Sequence, residues 1–220
     1  TFNALSPEPL VVRMPTSSPG RYAEHNFSKN VYAVVAKDEA GNTLLVSRTG
    51  LNEWTVVQHK GKVHFSYTLY ANRADGTYAK VDNLKLHLNM PATFAYGVGM
   101  EQRPVELIIP KHQNWSVATQ LQKVGEERYR APNYYYFYDS PTMVGDIRFR
   151  SWTVNNPGRV DTIEIAFLTP DPDSLLDAYT EWTKKVVAEQ QRVYGELPAY
   201  DYGRYTFLCA YNQYVSGDGM

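Results

Sequence analysis

The sequence predicts a mainly β protein: an antiparallel β-sandwich or curved sheet, followed by one long helix and a final strand. Three observations carry this reading. Apolar and polar residues alternate with period two in several short runs between residues 31 and 167, which implies strands with one buried face. Tyrosine is abundant, with 18 residues in a chain that is 14% aromatic, and an apolar ring with a polar tip suits half-wet sheet faces. A single segment, after residue 170, has helical period, and strands followed by helix and strand read as an α+β ending.

The first strands are expected over 31–36 and 43–46, divided by the turn Asp38-Glu39-Ala40-Gly41-Asn42. The clearest alternation is Val63, Phe65, Tyr67 and Leu69 against His64, Ser66, Thr68 and Tyr70. Leu84, Leu86 and Leu88 alternate with Asn83, Lys85, His87 and Asn89, so Lys85 and His87 are expected on a polar face. Ile163, Ile165 and Phe167 repeat the pattern after the turn Asn155-Asn156-Pro157-Gly158. Lys60-Gly61 and Ala74-Asp75-Gly76 supply further turns, and short strands at such spacing suit a sandwich.

Pro170-Asp171-Pro172-Asp173-Ser174 then opens the helix, and Gly195 followed by Pro198 closes it, as caps of those types should. Leu175, Tyr179, Trp182, Val186 and Val193 form one apolar stripe, with Lys184, Lys185, Glu189 and Arg192 off it; the stripe is expected to pack on the β domain, on a neighbouring chain or in a dimer interface. A strand follows over 206–211. The change of character places the domain boundary near residue 168, giving an N-terminal β-sandwich domain over 1–168 and a second part over 169–220.

Composition excludes several classes of function. The 22 basic and 23 acidic residues nearly cancel and no block of like charge exists, so no nucleic-acid footprint is present. No apolar run is long enough to span a membrane as a helix. Cys209 is the only cysteine and sits in an apolar run, which excludes an internal disulfide and reads as an inert thiol. The five histidines (His25, His59, His64, His87, His112) contain no H-E-x-x-H pair, so no metal ligand is assigned in this chain. Ser140 beside Asp139 reads as a turn. The pairs Glu126-Glu127 and Asp171/Asp173 read as a solvated loop and a helix N-terminus. Gly97-Val98-Gly99 does not open a helix, so it is a poor phosphate cradle. No catalytic residue is assigned.

Several ordered segments then resemble the glycyl aminopeptidase family of zinc metallopeptidases. They are Pro19-Gly20-Arg21-Tyr22, Asn30-Val31, Lys37-Asp38-Glu39-Ala40-Gly41, Asn52-Glu53-Trp54-Thr55-Val56, Asn114-Trp115-Ser116-Val117-Ala118-Thr119, Tyr138-Asp139-Ser140-Pro141 with Gly145, Tyr194-Gly195-Glu196-Leu197-Pro198, and Tyr205-Thr206-Phe207-Leu208. The family continues with Gly-Gly-Met-Glu-His, whose Gly-Met is matched by Gly219-Met220. Arg21 stands where serine is common and Asp218 where a small residue is usual.

The resemblance implies an N-terminal β domain followed by the start of a thermolysin-like α+β catalytic domain. It implies zinc and a peptide substrate for a full-length parent, often with a C-terminal PDZ domain. Gly217, Gly219 and Met220 would lie on the substrate-binding strand, which holds peptide by strand addition. The stretch from residue 129 to residue 141 is the expected cleft-facing edge. The end on Ser216-Gly217-Asp218-Gly219-Met220 reads as the interior of a motif, so a front fragment of a larger protein, itself inactive, is expected. The start at Thr1 fits a mature chain from the periplasm or a secreted protein. A homodimer through the C-terminal helix is possible on this reading. The competing expectations are a stand-alone β-sandwich module binding carbohydrate or protein, and an assembly protein that uses strand edges.

Overall fold

The computed structural model of the chain describes residues 1–21, 23–73, 75–112 and 114–211. In chain order the strands are β1 (Leu10–Arg13), β2 (Val31–Lys37), β3 (Thr43–Leu44), β4 (Val46–Arg48), β5 (Glu53–Val56), β6 (His64–Leu69), β7 (Lys80–Val81), β8 (Lys85–Leu88) and β9 (Tyr96–Gly97). They continue with β10 (Val105–Ile108), β11 (Ser116–Ala118), β12 (Gln122–Lys123), β13 (Arg128–Ala131), β14 (Thr142–Gly145), β15 (Arg148–Asn156), β16 (Arg159–Leu168) and β17 (Arg204–Ala210). The α-helices are α1 (Met90–Thr93), α2 (Tyr134–Tyr138) and α3 (Asp173–Tyr194).

The first half is a sandwich. Sheet β4-β5-β1-β9 faces sheet β3-β2-β6. Leu10, Val12 and Val56 meet Ala36 and Val63, and Trp54 and Phe65 close the layer at one end. The alternation expected in β6 is present: Val63 is buried, Phe65, Tyr67 and Leu69 are half-buried, and His64, Ser66 and Thr68 are exposed. Tyr67 is pinned by its hydroxyl, which donates to Thr93 O at 2.6 Å and accepts from Ala95 N at 3.1 Å. Its burial pushes the phenol up to about 12. The Asp38–Asn42 turn closes through Asn42 N donating to Asp38 Oδ1 at 2.8 Å.

A second core forms where sheet β11-β14-β8-β7 and sheet β10-β13-β12 enclose α2, around Leu88, Met90, Leu107, Leu121, Tyr129 and Phe137. Here the alternation read for residues 83–89 fails. Leu84 is 70% exposed, whereas Lys85 is buried and His87 half-buried. Strand β8 lies between β14 and β7, and both of its faces are covered: Leu88 packs into the second core on one, and Lys85 is buried on the other. Burial lowers the pKa of both Lys85 and His87, and His87 Nε2 is buried without a partner.

The last sheet, β15-β16-β17, carries α3 on one face. Strands β15 and β16 form a hairpin, and β16 pairs with β17 in parallel, which requires the crossover that α3 provides. The other face of this sheet meets β11 and β14 through Ala118, Met143, Ala166, Leu168 and Leu208. Gly145 permits that approach, because a Cβ there would fall 2.9 Å from Leu168 Cδ1 and 3.2 Å from Leu84 O.

Helix α3 begins and ends where its flanking residues imply. Arg148 and Arg150 of β15 ion-pair with Asp173 at 3.2 and 2.9 Å, and Arg150 also reaches Asp177 at 2.6 Å. These contacts hold the Asp173 carboxyl below its ordinary range, the Arg150 hydrogen bond being the leading cause. Gly195 terminates the helix at φ 84°, a left-handed conformation that glycine adopts without penalty.

The packing face of α3 differs from the expected stripe. Leu176, Thr180 and Val187 are buried against the sheet, while Leu175, Trp182, Val186 and Val193 are exposed and Tyr179 is 38% exposed. At about 100° per residue, the two sets lie roughly a third of a turn apart. The helix therefore has two apolar faces. The tertiary structure buries the narrower one, where Thr180 satisfies its hydroxyl on Leu176 O at 2.7 Å.

Candidate functional site

The unpartnered helix face and the last strand together form the largest concavity described. Among the described residues, strand β17 is the outermost strand of its sheet; its register with β16 runs from Thr162↔Arg204 to Leu168↔Ala210. Tyr205 and Phe207 are packed edge to face at 4.8 Å and stand beside α3. Between them and Tyr179, Trp182 and Val186 lies a groove of ≈ 1020 Å³, floored by Ile163, Val187 and Leu197.

One end of the groove is locked by a buried polar network. Asp161, 2% exposed, accepts from Asn156 Nδ2 at 2.6 Å and from Arg159 Nε at 2.8 Å. Asn156 Oδ1 accepts in turn from Leu197 N at 2.9 Å and Gln191 Nε2 at 3.2 Å. These bonds fix the chain that leaves α3 toward β17. At the other end, the Cys209 thiol is half-buried near the hydroxyls of Tyr179 and Tyr211, and burial raises its pKa. That keeps it a thiol rather than a nucleophilic thiolate.

The segment between α3 and β17 touches the second core. Tyr136 of α2 hydrogen-bonds to the Asp201 side chain, and burial is the leading cause that raises its pKa. Arg204 Nη2 donates to Thr119 O at 3.0 Å. Tyr202, between them, holds φ 61° and ψ 18°, a left-handed conformation that is costly for a side chain of this size. The 129–141 stretch thus lies against the entry to β17. It forms β13 and α2, and Asn133 caps α2 by accepting from Tyr136 N at 2.9 Å.

The expected substrate-binding residues Gly217, Gly219 and Met220 lie outside the described residues, as does Asp218. The pairs set aside at the sequence level sit as read. Glu126 and Glu127 bind Lys111 on a surface loop, and Asp171 accepts from Thr169 Oγ1 at 2.7 Å beside the start of α3. Ser140 is buried and donates to Tyr136 O, closing α2. Among the described residues, no three His, Cys, Asp or Glu side chains come together to hold a metal ion, so these residues do not fit a zinc site. No described helix is long and apolar enough to cross a membrane. The sequence reading puts Trp182 on the apolar stripe and Tyr205 and Phe207 in a family-like strand, but does not bring them together as a groove; the available signal is a helix whose apolar positions exceed one face.

A sequence model of the Peptidase M61 N-terminal domain matches residues 1–146. The fold is similar to the crystal structure of an aminopeptidase N family protein from Idiomarina loihiensis, with a TM-score of 0.73 at 20% identity. That likeness covers 96% of this chain and 40% of that one. An M1 zinc metallopeptidase from Deinococcus radiodurans aligns with a TM-score of 0.43 at 11% identity, over 94% of this chain and 49% of that one. No curated protein matches the chain. The chain therefore spans well under half the length of the Idiomarina protein.

Proposed function

Because the chain belongs to the Peptidase M61 N-terminal domain family, we propose that it is the N-terminal scaffold of a zinc-dependent aminopeptidase joined to the opening elements of its catalytic domain. The parent hydrolyses N-terminal peptide bonds, and this portion alone is inactive. The observation that carries the reading is the junction. The family match ends at residue 146, and a differently built unit follows, in which β15, β16, α3 and β17 form one sheet-and-helix layer.

On this reading the junction lies after β14, and the boundary expected near residue 168 falls at the end of β16 within the second layer. Among the described residues, no strand pairs with the outer edge of β17, and edges of this kind either pair with another strand or must be protected. The apolar groove beside it has the character of an interior face left open. In the parent, both belong to the interior of the catalytic domain. The first unit acts as a wall: Tyr136 and Thr119 hold the entry to β17 through Asp201 and Arg204.

The test compares the 220-residue chain with the longer product of its own reading frame. Zinc content and hydrolysis of aminoacyl p-nitroanilides are measured for both. The longer product is expected to bind zinc and turn over; the shorter is expected to do neither. Turnover by the shorter chain, or a reading frame that adds no metal-binding domain, refutes the proposal and favours a stand-alone binding module.

A further inference from the structure

A second concavity lies on the outer face of the sandwich, away from the groove at β17. Register across three strands places Glu53 of β5, Arg13 of β1 and Tyr96 of β9 in one row. Arg13 Nε donates to Glu53 Oε1 at 2.6 Å, its Nη2 lies 2.5 Å from the same oxygen, and its Nη1 donates to the Tyr96 hydroxyl at 3.5 Å. Both close arginine contacts thus fall on one carboxylate oxygen, and among the described residues Glu53 Oε2 has no donor.

Helix α2 covers one side of this row with tyrosines. Tyr134 stacks on Tyr96 at 4.3 Å and 24°, and packs against Tyr135 and Tyr138 at 6.3 and 5.8 Å. Together with Pro15 and the loop through Asn52 they line a pocket of ≈ 670 Å³. Tyr134 is 8% exposed and its hydroxyl is buried without a partner, a state that native interiors avoid unless something else satisfies the group. Tyr134 also packs into the second core, and Tyr138 donates its hydroxyl to Ser17 O at 2.6 Å; Tyr135, the most exposed of the four, has the ring left to the pocket.

We propose that this pocket binds a proline-containing peptide segment in the polyproline II conformation. A proline-rich segment has carbonyls to satisfy, no proline N–H to donate, and a preformed shape that costs little entropy to bind. The pocket matches each point: the Tyr135 hydroxyl and the outer N–H groups of Arg13 donate, the rings of Tyr96, Tyr135 and Tyr138 that line the pocket offer apolar surface to pyrrolidine rings, and Glu53 Oε2 accepts from a flanking cation. A sugar matches less well. Saccharides stack on open ring faces, and Tyr96 and Tyr134 cover one another's faces.

The probe is a capped peptide of five prolines followed by one arginine, titrated into the 220-residue chain while tyrosine ring resonances are followed by NMR. Saturable shifts confined to Tyr96, Tyr134, Tyr135 and Tyr138 are expected. Tyr135 is 58% exposed, so Tyr135→Ala should fold normally, and it is expected to weaken binding at least tenfold, about 1.4 kcal/mol. Glu53→Gln is expected to weaken the arginine peptide while leaving an all-proline peptide unchanged. Absence of saturation at millimolar peptide, an unchanged affinity in Tyr135→Ala, or tighter binding of maltohexaose at the same tyrosines overturns the proposal. None of these readouts depends on peptidase activity.

Discussion

Leu175 and Leu176 are adjacent on α3 and chemically identical, yet the sequence pattern and the tertiary structure assign them opposite roles. Leu176 is 3% exposed and packs with Ile165 and Phe167, both 0% exposed. Leu176→Ala removes a fully buried isobutyl group and leaves a cavity against β16, costing about 3 kcal/mol within the usual range of ~2–5. Leu175 is 56% exposed. Full burial of leucine contributes about 1.5–3 kcal/mol, so its remaining contact gives roughly 1 kcal/mol at most, and the helix preference of alanine offsets part of that. Urea unfolding followed by tryptophan fluorescence separates the two. With a slope of about 2 kcal/mol per molar, Leu176→Ala lowers the midpoint by about 1.5 M and Leu175→Ala by less than about 0.5 M. Equal midpoints, or a larger loss for Leu175→Ala, would show that the helix packs on its other face and would refute the account of the groove.

Asn156→Ala removes the acceptor for Leu197 N and Gln191 and one donor to buried Asp161, which should cost about 2–4 kcal/mol; the Leu197 amide should exchange faster, and unchanged protection would count against the lock. Tyr67 has a folded pKa raised to about 12 from 10.0. Its contribution is complete below pH 10 and lost as pH rises through 12, on the order of 3 kcal/mol in all. Tyr67→Phe should therefore flatten the pH dependence of unfolding between those values, and an unaltered slope would exclude Tyr67 as its source. Trp182 is 70% exposed on the open helix face. The isolated chain should self-associate through this face in sedimentation experiments, and Trp182→Glu should abolish that; a wild-type chain monomeric at high concentration would show that the face is not adhesive.

Much of the architecture is legible before folding because the signals are local. Period-two alternation in β6, the Asp38–Asn42 turn, and the Gly195 stop each depend on residues within one element, and each appears as read. Two elements break the pattern for the same physical reason. Strand β8 reads as half-exposed, but residues distant in sequence cover both of its faces, so Lys85 is buried and His87 half-buried. Helix α3 reads as having one packing stripe but has two apolar faces, and the sheet takes the weaker one. Periodicity reveals that a face is apolar; it carries no information about which neighbour, many residues away, will cover it.

The candidate site divides along the same line. The ordered motifs that resemble the family are short-range patterns, and the match over residues 1–146 agrees with them. The groove beside β17, the Asn156–Asp161–Arg159 lock and the Glu53–Arg13–Tyr96 row arise from residues that are distant in sequence, and no spacing announces them. The sequence by itself determined the strand-rich class, the one long helix with its ends, and the family. Only the tertiary structure decided which helix face is buried, that the β15–β16 hairpin joins β17, and where tyrosines converge. Each of those depends on long-range packing, in which a local pattern offers alternatives and the burial of the whole chain selects one.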